Sequence, residues 1–314
     1  MSETSSKAAV AIGVFDGVHR GHQDLVQRML QHARANDLRG VCVTFDPDPE
    51  IVLRPERPHL ALSSTEERIR LLKSLGVDQV EVIPFTREVS LKSPEEFVDA
   101  LAQKHPLESL WIGSNFALGH DRTGTVETLK RIGADKGFSV HPVDLLEHDG
   151  RPVTASWIRE CLTQGNVALA RELLGRPYQI RGVVVAGMRR GRELGFPTAN
   201  VVPPAGRAIP ADGVYFVQAG ISGARTGGVD GDAGFGVVNL GPRPTFDEKE
   251  RLLEVHLLEF AGDLYGAELR VCFLEQLRQT VRFPNFDALR AQIDRDVAKG
   301  RELARAWAGI ASCG

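Results

Sequence analysis

In the first half of the chain, short apolar runs alternate with amphipathic stretches. Residues 8–15, 40–46, 80–85, 107–114 and 138–144 read as buried strands. Between them lie helical patterns. Leu25, Met29 and Ala33 recur at helical spacing in 23–33. Residues 65–76 open on an acidic turn and stop at a glycine. Ser93 followed by Pro94 marks an N-cap and first helical position for 93–104, and 125–137 is a further helix. Strands alternating with helices predict a parallel sheet covered on both faces, a Rossmann-like arrangement in which ligands bind at the carboxyl ends of the strands.

The rhythm changes after about residue 175. Residues 155–175 are the last helical stretch before the change, which Gly175 and Pro177 end. Short strands with glycine-rich turns follow at 178–187, 213–221, 235–241, 252–260 and 267–277. They predict a small antiparallel β-barrel or sandwich, of which the barrel is the expected form. A terminal helix starts near Phe286, with Leu289, Ile293 and Val297 on one stripe. The predicted domains are 1–174 and 175–314.

Composition narrows the choice. The 314 residues are more than one ordinary core needs. A net charge of −3 argues against a general nucleic-acid binder but leaves room for a local anion site. The polar N-terminus lacks a signal-peptide pattern, and no apolar run approaches the roughly 18 residues of a membrane span. Cys42, Cys161, Cys272 and Cys313 have no paired spacing. The sequence therefore predicts three buried thiols and a free one in the tail, in a reducing cytoplasm.

The first candidate chemistry is "IGVFDGVHRGH", residues 12–22, where a strand ends and a helix begins. Gly13, Gly17 and Gly21 allow close approach of backbone to a ligand. A helix starting near His22 offers free N–H groups and the positive end of its dipole. His19 and His22 can hold phosphate oxygens and stabilise charge developing on them. Zinc is the rival reading, but no third ligand is evident nearby. A packing and capping role is the plainer alternative, and the flanking glycines favour phosphate.

This segment resembles the nucleotidyltransferase superfamily, in the form found in the prokaryotic bifunctional riboflavin kinase and FMN adenylyltransferase (FAD synthetase) family. Further segments carry the resemblance in the same order. "TFDPDPEIVLRP" has Asp48 where the family usually has histidine. "IGSNFALGHDRTG" is similar to a flavin-side loop, with Asn115 and Phe116 matching and Leu118 replacing a second phenylalanine. "VTASWIR" is similar to a phosphate-binding motif; Thr154, Ser156 and Arg159 fit, while Ala155 lacks a hydroxyl.

The second candidate site lies in "GVVVAGMRRGRELGFPTANV". Gly187, Gly191 and Gly195 punctuate a basic loop, including Arg192, of a kind that can fold over phosphates. Pro197 forces Phe196 to be extended, and Thr198 and Asn200 then share one face. Two neutral oxygens, completed by ATP phosphates, suit Mg2+. The segment resembles the riboflavin kinase signature. In "RLLEVHLLEFAGDLYG", alternation puts Glu254 on a face with Leu252 and Leu258, where apolar neighbours would favour proton uptake. The resemblance implies that Glu254 is the base for the terminal ribityl hydroxyl, while His256 reads as a packing residue. "NLGPRPTF" and the C-terminal "LRQTVRFPNFDALRAQIDRD" also resemble the family, but Gln279 and Thr280 replace an acidic residue beside Arg278.

The resemblance spans the chain from about Val10 to the terminal helix. It implies a cytoplasmic enzyme that phosphorylates riboflavin to FMN and then adenylylates FMN to FAD, releasing pyrophosphate. ATP is the co-substrate, and no nucleic-acid, membrane or obligatory protein partner is implied. Asp48, Leu118 and Ala155 leave open a monofunctional riboflavin kinase with a decayed first domain. A flavin- or nucleotide-binding regulator without turnover is the alternative from another class.

Overall fold

The computed structural model describes residues 7–186, 195–222, 231–242, 251–260 and 262–307. By packing, the chain divides into two compact units, Met1–Ala155 and Ser156–Gly314.

The first unit is built on a five-stranded parallel sheet, β1 (Ala8–Ile12), β2 (Arg39–Asp46), β3 (Gln79–Pro84), β4 (Leu107–Gly113) and β5 (Ser139–Val143). Their order is β3-β2-β1-β4-β5. Every residue of β1 is buried, as a strand covered on both faces demands. Ala8, Val10 and Ile12 join a core with α5 (Pro94–Lys104) and α6 (Val126–Lys136) through Val98, Leu101, Leu129 and Ile132. Ala9 and Ala11 face the other core, with Val26, Met29 and Leu30 of α1 (Arg20–Ala35). Leu72 of α3 (Thr65–Ser74) belongs to that second core. Two short helices escape the periodicity reading, α2 (Pro49–Leu53) and α4 (Arg87–Ser90), as does the hairpin of β6 (Glu147–His148) and β7 (Arg151–Pro152). Each is too short to show a period.

The chain runs outward from β1 to β2 on one side, and β4 lies on the other. Strand order therefore reverses at β1, and the turn after β1 opens at that switch point, where ligands of open parallel sheets bind.

The second unit begins one residue into α7 (Ala155–Thr163) and continues with α8 (Val167–Leu174). The single helical stretch read from sequence is thus two helices. Gly165 breaks it with φ of +76°, and a side chain there would also strike Gln276. A closed antiparallel barrel follows, of β8 (Tyr178–Val185), β9 (Ala199–Val201), β10 (Gly213–Ser222), β11 (Gly231–Pro242), β12 (Arg251–Leu257) and β13 (Glu268–Gln279). The circular order is β10-β11-β12-β9-β8-β13. Val201, Leu240 and Leu253 lie on the buried face of adjoining strands. The terminal helix α9 (Phe286–Trp307) packs on β10 and β11.

Cys42 and Cys161 are buried and form no disulfide. Cys272 is disulfide-bonded, which corrects the sequence expectation of a free thiol there. Cysteines far apart in sequence carry no spacing signal, and only folding decides whether two sulfurs meet. Cys313 lies outside the described residues.

Candidate functional site

The turn after β1 is held in an unusual backbone path. Phe15 has φ of +53°, Val18 +40° and Gly17 +71°. Non-glycine residues adopt such values only where the surroundings impose them. The imposing contacts come from Asp16, which is 3% exposed. Its carboxylate accepts the N–H groups of Leu62 and Ser63 at 2.9–3.0 Å and the Ser63 hydroxyl at 3.1 Å. Gly17 N–H donates back to Ser63 Oγ at 2.8 Å.

This path brings His19 and His22 together. Their rings stack with centroids 3.6 Å apart and planes 19° from parallel. α1 starts at Arg20, with His19 as its N-cap, and not near His22 as the sequence suggested. His19 Nδ1 accepts the backbone N–H of His22 at 3.4 Å, so the proton of a neutral His19 sits on Nε2. Histidine was missed as a cap because Ser, Thr, Asp and Asn are the usual signals. Gly21 has a specific task, since a Cβ there would lie 3.2 Å from the His19 ring. The edge of Phe15 packs against His22 at 5.2 Å. His22 Nδ1 is shut from solvent and has no hydrogen-bond partner among the described residues. Burial first, then the charges of His19 and Arg68, hold the His22 pKa well below 6.5.

Gly13 N–H donates to Val43 O at 3.1 Å, joining the start of the turn to β2. Asn115 and Phe116 follow β4, which flanks β1, so they belong to the same carboxyl edge of the sheet. Phe116 packs partly into the core and its N–H closes a turn on Gly113 O at 2.9 Å. Two departures from the family pattern have structural tasks. Asp48 caps α2 through Glu50 N–H at 2.9 Å and meets His59 Nε2 at 3.3 Å. Leu118 is buried and exchanges backbone bonds with Gly124. Ser156 and Arg159 stand in α7, which the packing assigns to the second unit.

In that second unit, Thr198 and Asn200 line a cavity of about 630 Å³, together with Val184, Leu257, Phe260 and Tyr265. Asn200 is 7% exposed. Glu254 is not in the lining, but it is directly cross-strand from Asn200 on one side and Asn239 on the other. Asn239 Nδ2 donates to Glu254 Oε2 at 3.1 Å. Alternation along β12 placed leucines beside Glu254. Register shows that its neighbours across the strands are amides, which a single strand's pattern cannot reveal. His256 Nδ1–H donates to Pro197 O at 2.9 Å, and Phe196 meets its ring edge to face at 5.6 Å. His256 thus holds the segment leading into Thr198. Gly187, Gly191 and Arg192 lie outside the described residues. Arg278 is engaged internally, with Nε and Nη2 gripping the Asp296 carboxylate at 2.8–3.1 Å.

Asp16, Ser63, Arg68 and Asn239 escaped the sequence reading as site residues. Asp16 lies within the quoted motif and could have been found there. The others act through contacts 15 or more residues away in sequence.

Comparison with known proteins gives two family matches, "FAD synthetase" over residues 1–156 and "Riboflavin kinase" over residues 174–304. Among curated relatives, the "Bifunctional riboflavin kinase/FMN adenylyltransferase" of Pseudomonas fluorescens is 38% identical, covering 93% of this chain and 92% of that one. The proteins of the same name from Escherichia coli and Bacillus subtilis are 35% and 33% identical, each covering 94% of this chain and 92% of the relative. A solved structure from Streptococcus pneumoniae, titled a macrolide-efflux protein, superposes with a TM-score of 0.85 at 32% identity and 95% coverage of both chains.

Proposed function

The chain belongs to the bifunctional riboflavin kinase/FMN adenylyltransferase family, and from that premise we propose how its residues divide the two reactions. The second unit transfers the γ-phosphoryl group of ATP to riboflavin, giving FMN and ADP. The first unit joins FMN to the adenylyl group of a second ATP, giving FAD and pyrophosphate. The matched segments support this order of labour along the chain.

In the kinase reaction, Glu254 accepts the proton of the terminal ribityl hydroxyl as its oxygen attacks the γ-phosphorus and ADP leaves. The observation that carries this reading is the register of β9 and β12, which sets Glu254 beside Asn200. Thr198 and Asn200 are the protein ligands for Mg2+. No group of three or more His, Cys, Asp or Glu side chains that could hold a metal occurs among the described residues. Two neutral oxygens on a cavity wall fit an ion that takes its remaining ligands from phosphates and water. Bound there, Mg2+ would neutralise charge on the transferring phosphoryl group. Gly187, Gly191 and Arg192 are the phosphate-loop residues implied by the same signature.

In the adenylyl transfer, an FMN phosphate oxygen attacks the α-phosphorus and pyrophosphate leaves. The nucleophile is already an anion, so the protein needs no base. Alignment and charge stabilisation are what remain. His19 and His22 supply hydrogen bonds to the phosphates, and Gly13, Gly17 and Gly21 admit them. Asn115 and Phe116 serve the flavin side.

The similarity to bifunctional relatives runs the length of the chain, which favours two activities over a decayed first unit. No described helix is long and apolar enough to cross a membrane. Incubation with riboflavin, ATP and Mg2+, with flavins separated chromatographically, tests the reading. FMN followed by FAD is expected. FMN alone would remove the adenylylation assignment, and no product would remove both.

A further inference from the structure

Arg68 stands on α3, outside every motif of the two reactions, and is 4% exposed. Its Nη1 donates to Val14 O at 2.7 Å, Thr44 Oγ1 at 2.9 Å and Phe45 O at 3.0 Å. Thr44 Oγ1 also donates to Val14 O, at 2.8 Å. One guanidinium nitrogen therefore fastens the histidine turn to the carboxyl end of β2. Its Nε is buried without a hydrogen-bond partner among the described residues.

All of these partners are neutral. Among the described residues Arg68 forms no ion pair. Of the carboxylates on or near this helix, Asp16 accepts from Leu62 and Ser63, Glu67 from Ser64 N–H, and Glu66 from the Ser64 hydroxyl; the Ser64 hydroxyl bond, then the charges of Arg70 and Arg68, hold the Glu66 carboxyl below the usual range. A buried cation that makes no ion pair is costly, and neutral donors would serve if hydrogen bonds were all the fold required. A ligand bearing negative charge would relieve that cost.

We propose that Arg68 is a positioning residue of the adenylylation site, a buried cation that ties the histidine turn to β2 and sets the positive field in which the nucleotide phosphates bind. The proposal rests on the reading of the first unit as the adenylylating one. The field reaches His22, since Arg68 is among the causes that keep its imidazole below the ordinary range, after burial and His19. Among the described residues, Phe15 and His19 pack against His22, and His19 and Arg68 act on it through their charge. A neutral His22 keeps one ring nitrogen as a donor and one as an acceptor, while Arg68 supplies the permanent charge.

The test uses the full chain with Arg68→Met and Arg68→Lys. Three quantities are read: FMN formation as a control for folding, KM for ATP and kcat in FMN adenylylation, and the His22 pKa from NMR titration of its ring. Arg68→Met is expected to form FMN at the wild-type rate. Its KM for ATP should rise on the order of tenfold, and the His22 pKa should move up toward 6.5. Arg68→Lys, which keeps the charge and loses the fork, should leave the His22 pKa near its wild-type position. If Arg68→Met does not fold, Arg68→Gln is read in the same way. An unchanged His22 pKa in the neutral variants, or equal loss of adenylylation in the lysine variant with no titration shift, would reduce Arg68 to a structural tie and overturn the proposal. Absence of FAD from the wild type would sink the underlying reading instead, and the titration would still decide whether Arg68 sets the field.

Discussion

His19 and His22 are three positions apart, yet the fold gives them different states. His19 spends Nδ1 on capping its helix, while His22 keeps an unpartnered Nδ1 in a desolvated place. The depressed pKa of His22 has a consequence for stability. The unfolded chain takes up a proton near pH 6.5, and the folded chain does so only at lower pH. Stability from this group is complete above about pH 6.5 and falls as the pH drops toward the folded pKa. Urea unfolding from pH 7.5 to 5 should show that loss in the wild type and a shallower slope in His22→Gln; parallel curves would refute it. A second prediction concerns Asn239, whose amide orients Glu254 through one exposed hydrogen bond. Asn239→Ala should lower kcat for FMN formation about two- to tenfold, the scale of a single net hydrogen bond of about 1 kcal/mol, with KM for ATP little changed. Steady-state kinetics checks it.

Among the elements, the contrast is between those that patterning fixes and those that a distant partner fixes. β1 had to be a central strand, because only burial on both faces explains five successive apolar residues. α9 shows the other case. Its stripe predicts a helix, but its seat on the barrel is set by Asp296, which is buried and gripped by Arg278 of β13 and by Gln292 of its own helix at 2.8 Å. Asp296→Ala leaves a half-buried guanidinium without its partner. Because Arg278 retains some solvent, the cost should fall near the lower end for broken buried pairs, about 2–3 kcal/mol, read from denaturant unfolding of the full chain. A loss below about 0.5 kcal/mol would place the pair with ordinary surface ion pairs.

At the scale of the whole molecule, two sites on two units predict separable losses. His22→Ala should lower FAD formation by about 10²–10³-fold, the effect of removing a donor from charge developing in a transition state, and leave FMN formation intact. Glu254→Gln should do the reverse when FMN is supplied. If either folded variant lost both reactions together, the division of labour would be wrong.

Sequence periodicity was sufficient for the parallel sheet, the barrel and the terminal helix, because burial on one or both faces repeats at the period of the element. The motifs were sufficient for His19, His22, Thr198, Asn200 and Glu254 as candidates, because their residue types and flanking glycines carry a local mechanism. Neither could show that Asp16 locks the turn onto Leu62 and Ser63, that Arg68 ties that turn to β2 through neutral partners, or that amides flank Glu254 across the barrel. Those contacts join positions that no local period relates. Register and close packing decide them, and they set the charge and orientation of the groups that the sequence could only nominate.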